Sequence, residues 1–168
     1  MPAKKFIRLV GGMLTEVFGI QSSAGAANAG DVPVLDDSGR LDNSMMPVGI
    51  GADTAVIATS EPLAAGDFVN IYNSAGAKAR KADATTSGKE AHGFVLAAVA
   101  SGANATVYFE GTNTQVSGQT PGNVFLQITA GTAGVTVPSA TGNIVQQLGV
   151  ATSATTINFE RGAPVVLA

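Results

Sequence analysis

The sequence predicts an all-β protein: a small antiparallel β-barrel, or a barrel-like sandwich, with an extended N-terminal arm. Three observations lead there. Apolar residues alternate with period two, and helical periodicity is hard to find. Short apolar runs are separated by glycine and proline turn signals. The chain also changes character before residue 53, where small and polar residues spread the apolar ones apart.

The first residues, "KFIRLV" and "LTEVFGI", can be strands. "QSSAGAANAGD", Gln21 to Asp31, has little to bury and reads as a flexible or extended linker. "VPVLDDSGRLDNSMMPVGIG" then spaces its apolar residues widely. Residues 1–52 are therefore expected to form an arm ordered by contact with other chains. The rival reading folds residues 5–20 into the barrel as an ordinary hairpin.

The β-domain is expected over residues 53–168. Strands fall near "TAVIAT", "DFVNIY" and "AKARKA", with Asp67 just ahead of its apolar run. In "GFVLAAVA" both alternating faces are apolar, which predicts a strand from Gly93 to Ala100 buried on both sides. It should pair across a Ser-Gly turn with "ANATVYFEG", where Val107 and Phe109 share one face. "VFLQITA", "AGVTV", "NIVQQLGVA" and "TTINFE" continue the pattern between "TPGN", "AGT" and "SATGN". Closure into a barrel would remove edges that lightly charged strands protect badly.

Composition narrows the class. Aromatic residues make up only 5% of the 168, so the core must use small and β-branched side chains. Phe68, Phe94, Phe109, Phe125 and Phe159 are its expected large pieces. Charged residues are 12%, about half the usual share. A surface so lightly charged suits coverage in an oligomer or assembly, or else a β domain faced with serine and threonine.

A net charge of −3 argues against a nucleic-acid partner, which calls for clustered Lys and Arg. Lys78, Arg80 and Lys81 read as a solvated strand face. The absence of cysteine removes disulfides and thiolate metal sites, and fits an intracellular place of assembly. The basic start is broken by Arg8 before any signal-like run develops, and no stretch approaches a membrane span, so no membrane partner is expected.

Catalytic chemistry finds little support. His92 is the one histidine, and no serine lies in a G-x-S-x-G context, so His92 reads as structural. Asp36, Asp37 and Asp42 suggest a calcium loop, but the spacing fails the EF-hand pattern. A turn explains them better, with Asp37 or Ser38 bonding the local backbone and Gly39 at positive φ. No nucleotide motif is present. A carboxylate pair of the glycosidase kind stays open, though sugar platforms are scarce, with Tyr72 and Tyr108 as the only tyrosines. No cofactor and no metal are expected, and the chain is read as not an enzyme.

Two stretches carry a resemblance. "GRLDNSMMPVGIGAD", Gly39 to Asp53, resembles a segment that recurs in structural proteins of tailed-bacteriophage virions. "HGFVLAAVASGANATVYFEGTNTQVSGQTPGNVFLQ" with "GNIVQQLGVATSATTINFERGAPVVLA" is similar to the β-domain of phage capsid decoration (cement) proteins and some phage fibre proteins. The resemblance implies a non-enzymatic decoration protein, commonly a homotrimer. It would be assembled in the host cytoplasm and would sit on the outer capsid surface, where major capsid protein subunits meet.

On that reading Phe6, Ile7, Leu9 and Val10 are arm contacts to the capsid, and Leu41, Met45, Met46, Pro47 and Ile50 form a subunit interface. Pro47 holds Met46 extended, and the methionines offer adaptable apolar surface. A tail-fibre or receptor-binding component is the alternative, and a glycan-cleaving virion enzyme is the third class.

Overall fold

Two consecutive glycines organise the first structure in the chain. Gly11 and Gly12 both take positive φ, 57° and 87°, as a two-residue type I′ hairpin turn requires. In a computed structural model, which describes residues 5–46 and 52–168, they join β1 (Lys5–Val10) to β2 (Met13–Phe18). The strands pair antiparallel from Val10 opposite Met13 to Lys5 opposite Phe18.

The chain divides into two compact units, residues 1–51 and 52–168. In the first, the hairpin is a two-stranded sheet of its own and belongs to no barrel. The expected linker has local order instead. A 3-10 turn spans Gly25–Asn28, and the Asn28 side chain accepts from the Ala24 N–H and donates to Asp31. Small side chains let the chain turn this tightly, so Ile20 returns to a parallel bridge with Pro33. Gly19 is buried where Phe6 and Val34 close over it, and a Cβ there would lie 2.3 Å from Val34 Cγ1.

The second unit holds a closed five-stranded barrel of β3 (Thr54–Thr59), β4 (Phe68–Asn73), β5 (Ala77–Lys81), β6 (Gly93–Phe94) and β7 (Asn104–Tyr108). Its order is β3-β5-β4-β6-β7. All joints are antiparallel except β3 with β5, which is parallel and short. Leu63, Val69, Ala79, Val95, Ala105 and Val107 fill its interior. The side chains are small because the barrel is narrow.

Beyond the barrel lie β8 (Gly111–Asn113), β9 (Gly122–Leu126), β10 (Ala133–Gly134), β11 (Ile144–Val145), β12 (Gln147–Ser153), β13 (Thr156–Phe159) and β14 (Val165–Val166). A sheet runs β10-β9-β12-β13-β8, and β11 pairs with β14. Phe68 and Phe94 from the barrel meet Val124, Leu126, Leu148, Ile157 and Phe159 from this sheet in one buried cluster. Phe159 lies 5.6 Å from both barrel phenylalanines, and Phe94 stacks on Tyr108 at 5.4 Å. The sandwich-like second layer is thus sealed by rings.

Several expectations change. The run from Gly93 to Ala100 is a strand only at Gly93–Phe94, because the chain bends after Val95 to bridge Val99 with Leu63. Ala97 and Ala98 are consequently exposed. "NIVQQLGVA" breaks at Gln146, whose buried side chain bonds elsewhere. "AGVTV" is strand only at Ala133–Gly134. Phe109 and Phe125 are half-buried, while Phe68, Phe94 and Phe159 are fully enclosed.

Candidate functional site

The hairpin concentrates apolar surface. Alternation places Phe6, Arg8, Val10, Met13, Thr15 and Val17 on one face and Lys5, Ile7, Leu9, Leu14, Glu16 and Phe18 on the other. On the second face Ile7, Leu9, Leu14 and Phe18 remain 72%, 67%, 77% and 62% exposed. Lys5 and Glu16 pair at 2.8 Å and neutralise one another, with the ammonium also 5.0 Å from the Phe18 ring centroid. What faces solvent is a nearly neutral greasy plate.

The remaining expected contacts sit differently. Phe6 and Val10 are 36% and 44% exposed, and Phe6 leans on Gly19. Leu41 and Met46 are exposed, and Met45 is half-buried. Pro47 and Ile50 lie outside the described residues. Leu14 and Phe18 went unassigned in the sequence, although the alternation of "MLTEVF" places them beside Ile7 and Leu9 once the glycine turn is recognised.

Every residue of the two hydrophobic clusters belongs to the second unit. Among the described residues of the first unit, Gly19 alone is buried. The described residues of the first unit therefore form no apolar core to offset their ordering entropy, and local hydrogen bonds shape them. Asp36 Oδ1 accepts from the N–H groups of Ser38 and Arg40, both at 2.9 Å. That role was expected of Asp37 or Ser38, but Asp36 stands at the first position of the turn, from which its side chain reaches forward. Gly39 does take positive φ, 75°.

Asp42 Oδ1 likewise accepts from the Ser44 N–H at 2.9 Å, capping a 3-10 turn over Asn43–Met45. The Ser38 and Ser44 hydroxyls are the main reason the two carboxyls sit below the ordinary carboxylate range. Ser44 Oγ also accepts from the Ser23 N–H at 2.8 Å. The methionine segment is thereby tied back to the rest of its unit.

Elsewhere polar groups serve the fold. His92 Nδ1 accepts from the Ile71 N–H at 2.9 Å, and the His92 backbone N–H donates to the Val69 carbonyl. Burial, with Arg161 nearby, lowers its pKa. Arg80 lies 4.3 Å over the Tyr72 ring and donates to Asn70 at 3.0 Å, and Lys81 pairs with Asp67 at 3.1 Å. The basic strand is thus partly committed to intramolecular contacts.

Among the described residues no three His, Asp or Glu side chains gather as a metal site, and no helix is long and apolar enough to cross a membrane. Neither a protein-family model nor a curated protein sequence matches the chain.

Proposed function

We propose that this chain is a non-enzymatic structural protein of a tailed-phage virion, a capsid decoration protein that binds the assembled head lattice as a homotrimer. One observation carries the reading: an N-terminal unit whose described residues form no hydrophobic core presents an apolar hairpin face to solvent. Such a face is understandable when another surface covers it. The resemblance of Gly39 to Asp53 and of the β-domain to decoration proteins supplies the partner class.

The mechanism needs no chemistry. A protein that binds the expanded lattice and not its precursor stabilises the expanded state by its differential affinity. The β-rich second unit sets a rigid spacing, and the hairpin and the Leu41–Met46 segment supply adhesive surface. The partners are the major capsid protein and sister copies.

Co-sedimentation with purified heads tests this. Binding to expanded heads and not to unexpanded ones is expected, and deletion of residues 1–30 should reduce occupancy at least tenfold. Unchanged occupancy would remove the role of the arm. Immunogold labelling on tails instead of heads would overturn the decoration reading in favour of a fibre component.

A further inference from the structure

The barrel has an unfinished seam. At the two ends of β7, Phe109 donates to Asp53 and Ala103 accepts from Thr59, so the bonded pairs with β3 fall at Val107 opposite Ala55 and Ala105 opposite Ile57. The backbone groups of Asn104 and Thr106 must then point the other way, towards β6. Yet β6 meets β7 only at Phe94 opposite Tyr108. Past that pair the chain diverges to join Val99 with Leu63.

The divergence leaves a groove of about 460 Å³ between Leu96–Ala100 on one wall and Asn104, Thr106 and Tyr108 on the other. No charged residue lines it. One wall is a strand edge whose Asn104 and Thr106 backbone groups have no β6 partner, and three of the five residues of the other wall, Leu96–Ala100, are alanine. Those features match an added strand, which bonds through its main chain and needs little room for side chains.

Resting on the decoration reading, we propose that this groove receives β1 of a second copy. The hairpin has complementary features. With Val10 opposite Met13 across a two-residue turn, the backbone groups of Ile7 and Leu9 face away from β2 and, among the described residues, have no strand partner. β1 has 6 residues and β7 has 5, so at about 3.3 Å per residue their lengths agree. Charge agrees as well, because an uncharged groove and an internally neutralised hairpin face let like-charged acidic copies approach.

A contact between different surfaces of identical chains is heterologous and closes into a ring when the rotation permits. A cyclic trimer satisfies it, with each hairpin in its neighbour's groove. The hairpin is then a trimer-forming element, and its exposed plate is covered by a sister copy.

The chain lacks cysteine, which makes the test direct. Ile7→Cys and Thr106→Cys chains, prepared separately and mixed, are treated with a short bismaleimide while a second sample is weighed by sedimentation equilibrium. Expected are a covalent dimer from the mixture, little from either variant alone, and a three-chain mass. Thr106→Pro, which removes an N–H aimed into the groove and spares the β3 ladder, should keep its melting point within a few degrees and fall to single-chain mass.

A three-chain mass with no cross-link in the mixture would overturn the groove assignment and leave the decoration reading standing, as would a Thr106→Pro protein that still trimerises. A single-chain mass for the unmodified protein also overturns the assignment. Failure of that monomer to bind expanded heads would remove the decoration reading too.

Discussion

Gln146 holds Ala91 by both of its backbone groups: Oε1 accepts from the Ala91 N–H at 2.8 Å and Nε2 donates to the Ala91 carbonyl at 2.9 Å. The same Nε2 donates to Gly162 at 3.2 Å. A side-chain amide thus acts as a one-residue strand between the segment entering β6 and the sheet around β12. Gln146→Leu keeps the volume but leaves buried polar groups without partners, at about 1–3 kcal/mol each. The expected loss is about 3 kcal/mol, read as a lower urea midpoint with unchanged slope. A shift below about 0.5 kcal/mol would mean that the amide is dispensable.

Gly149 should resist substitution far more than Gly142. Both have positive φ, 117° and 82°, which costs a non-glycine residue about 1–2 kcal/mol. At Gly149, where β12 shifts register against β9, a Cβ would also lie 2.0 Å from the Asn158 carbonyl oxygen. Nothing lies within 4 Å at Gly142. Alanine at position 142 should cost about 1 kcal/mol, and at 149 at least about 3, once overpacking is added. Equal costs in chemical denaturation would show that β12 moves freely.

Acid should weaken the fold in a window set by His92. Burial first, then Arg161, depresses its folded pKa below the ordinary 6.5, against the opposing pull of Glu90 and the Ile71 bond. The unfolded chain therefore gains a proton that the folded chain refuses. Stability from this site is fully present above about pH 6.5 and declines as pH falls through that value, until the folded imidazole also titrates. One proton limits the slope to about 1.4 kcal/mol per pH unit. His92→Asn, which keeps an acceptor for Ile71, should lose this slope between pH 7 and 5. An unchanged slope would place the effect elsewhere.

Carboxylates add a second, more acidic step. Burial pushes the Asp83 pKa up, but the Thr85 hydroxyl, Lys89 and the Thr85 N–H together outweigh it, and the net value lies below 3.8. Its contribution is present above that pH and is lost as pH falls through the lower folded value. Asp83→Asn should flatten stability below pH 4 and cost little of the His92 step. A variant that removed both steps would contradict their separation.

Deleting residues 1–51 should leave the remaining unit folded. Among the described residues of that segment no hydrophobic side chain larger than glycine is buried, and both core clusters lie in the second unit. The melting point should stay within a few degrees, given about 4–8 °C per kcal/mol for small domains. A fall of more than about 15 °C would show that the first unit contributes substantially to stability.

Alternation made the barrel strands at Thr54–Thr59 and Asn104–Tyr108 legible, since a more buried and a wetter face write period two directly. The same rule misled at Gly93–Ala100, where apolar residues on both faces mark a strand that bends away after Val95. Alternation also cannot say whether an apolar face is buried at home or abroad, so the exposure of Leu14 and Phe18 was invisible. Gln146 was hidden for another reason. A polar residue inside an apolar run looks like a surface position until its partner, 55 residues earlier, is known.

The ring stack at the seam has an optical consequence. The chain has no tryptophan and two tyrosines, so its near-ultraviolet signal comes mainly from Tyr72 and Tyr108. Tyr72 sits beneath the Arg80 guanidinium, whereas Tyr108 stacks on Phe94 at the mouth of the groove. The protein carries a built-in pair of chromophores, one as reference and one as gauge. Closure of the seam becomes visible as dichroism of the second without any label.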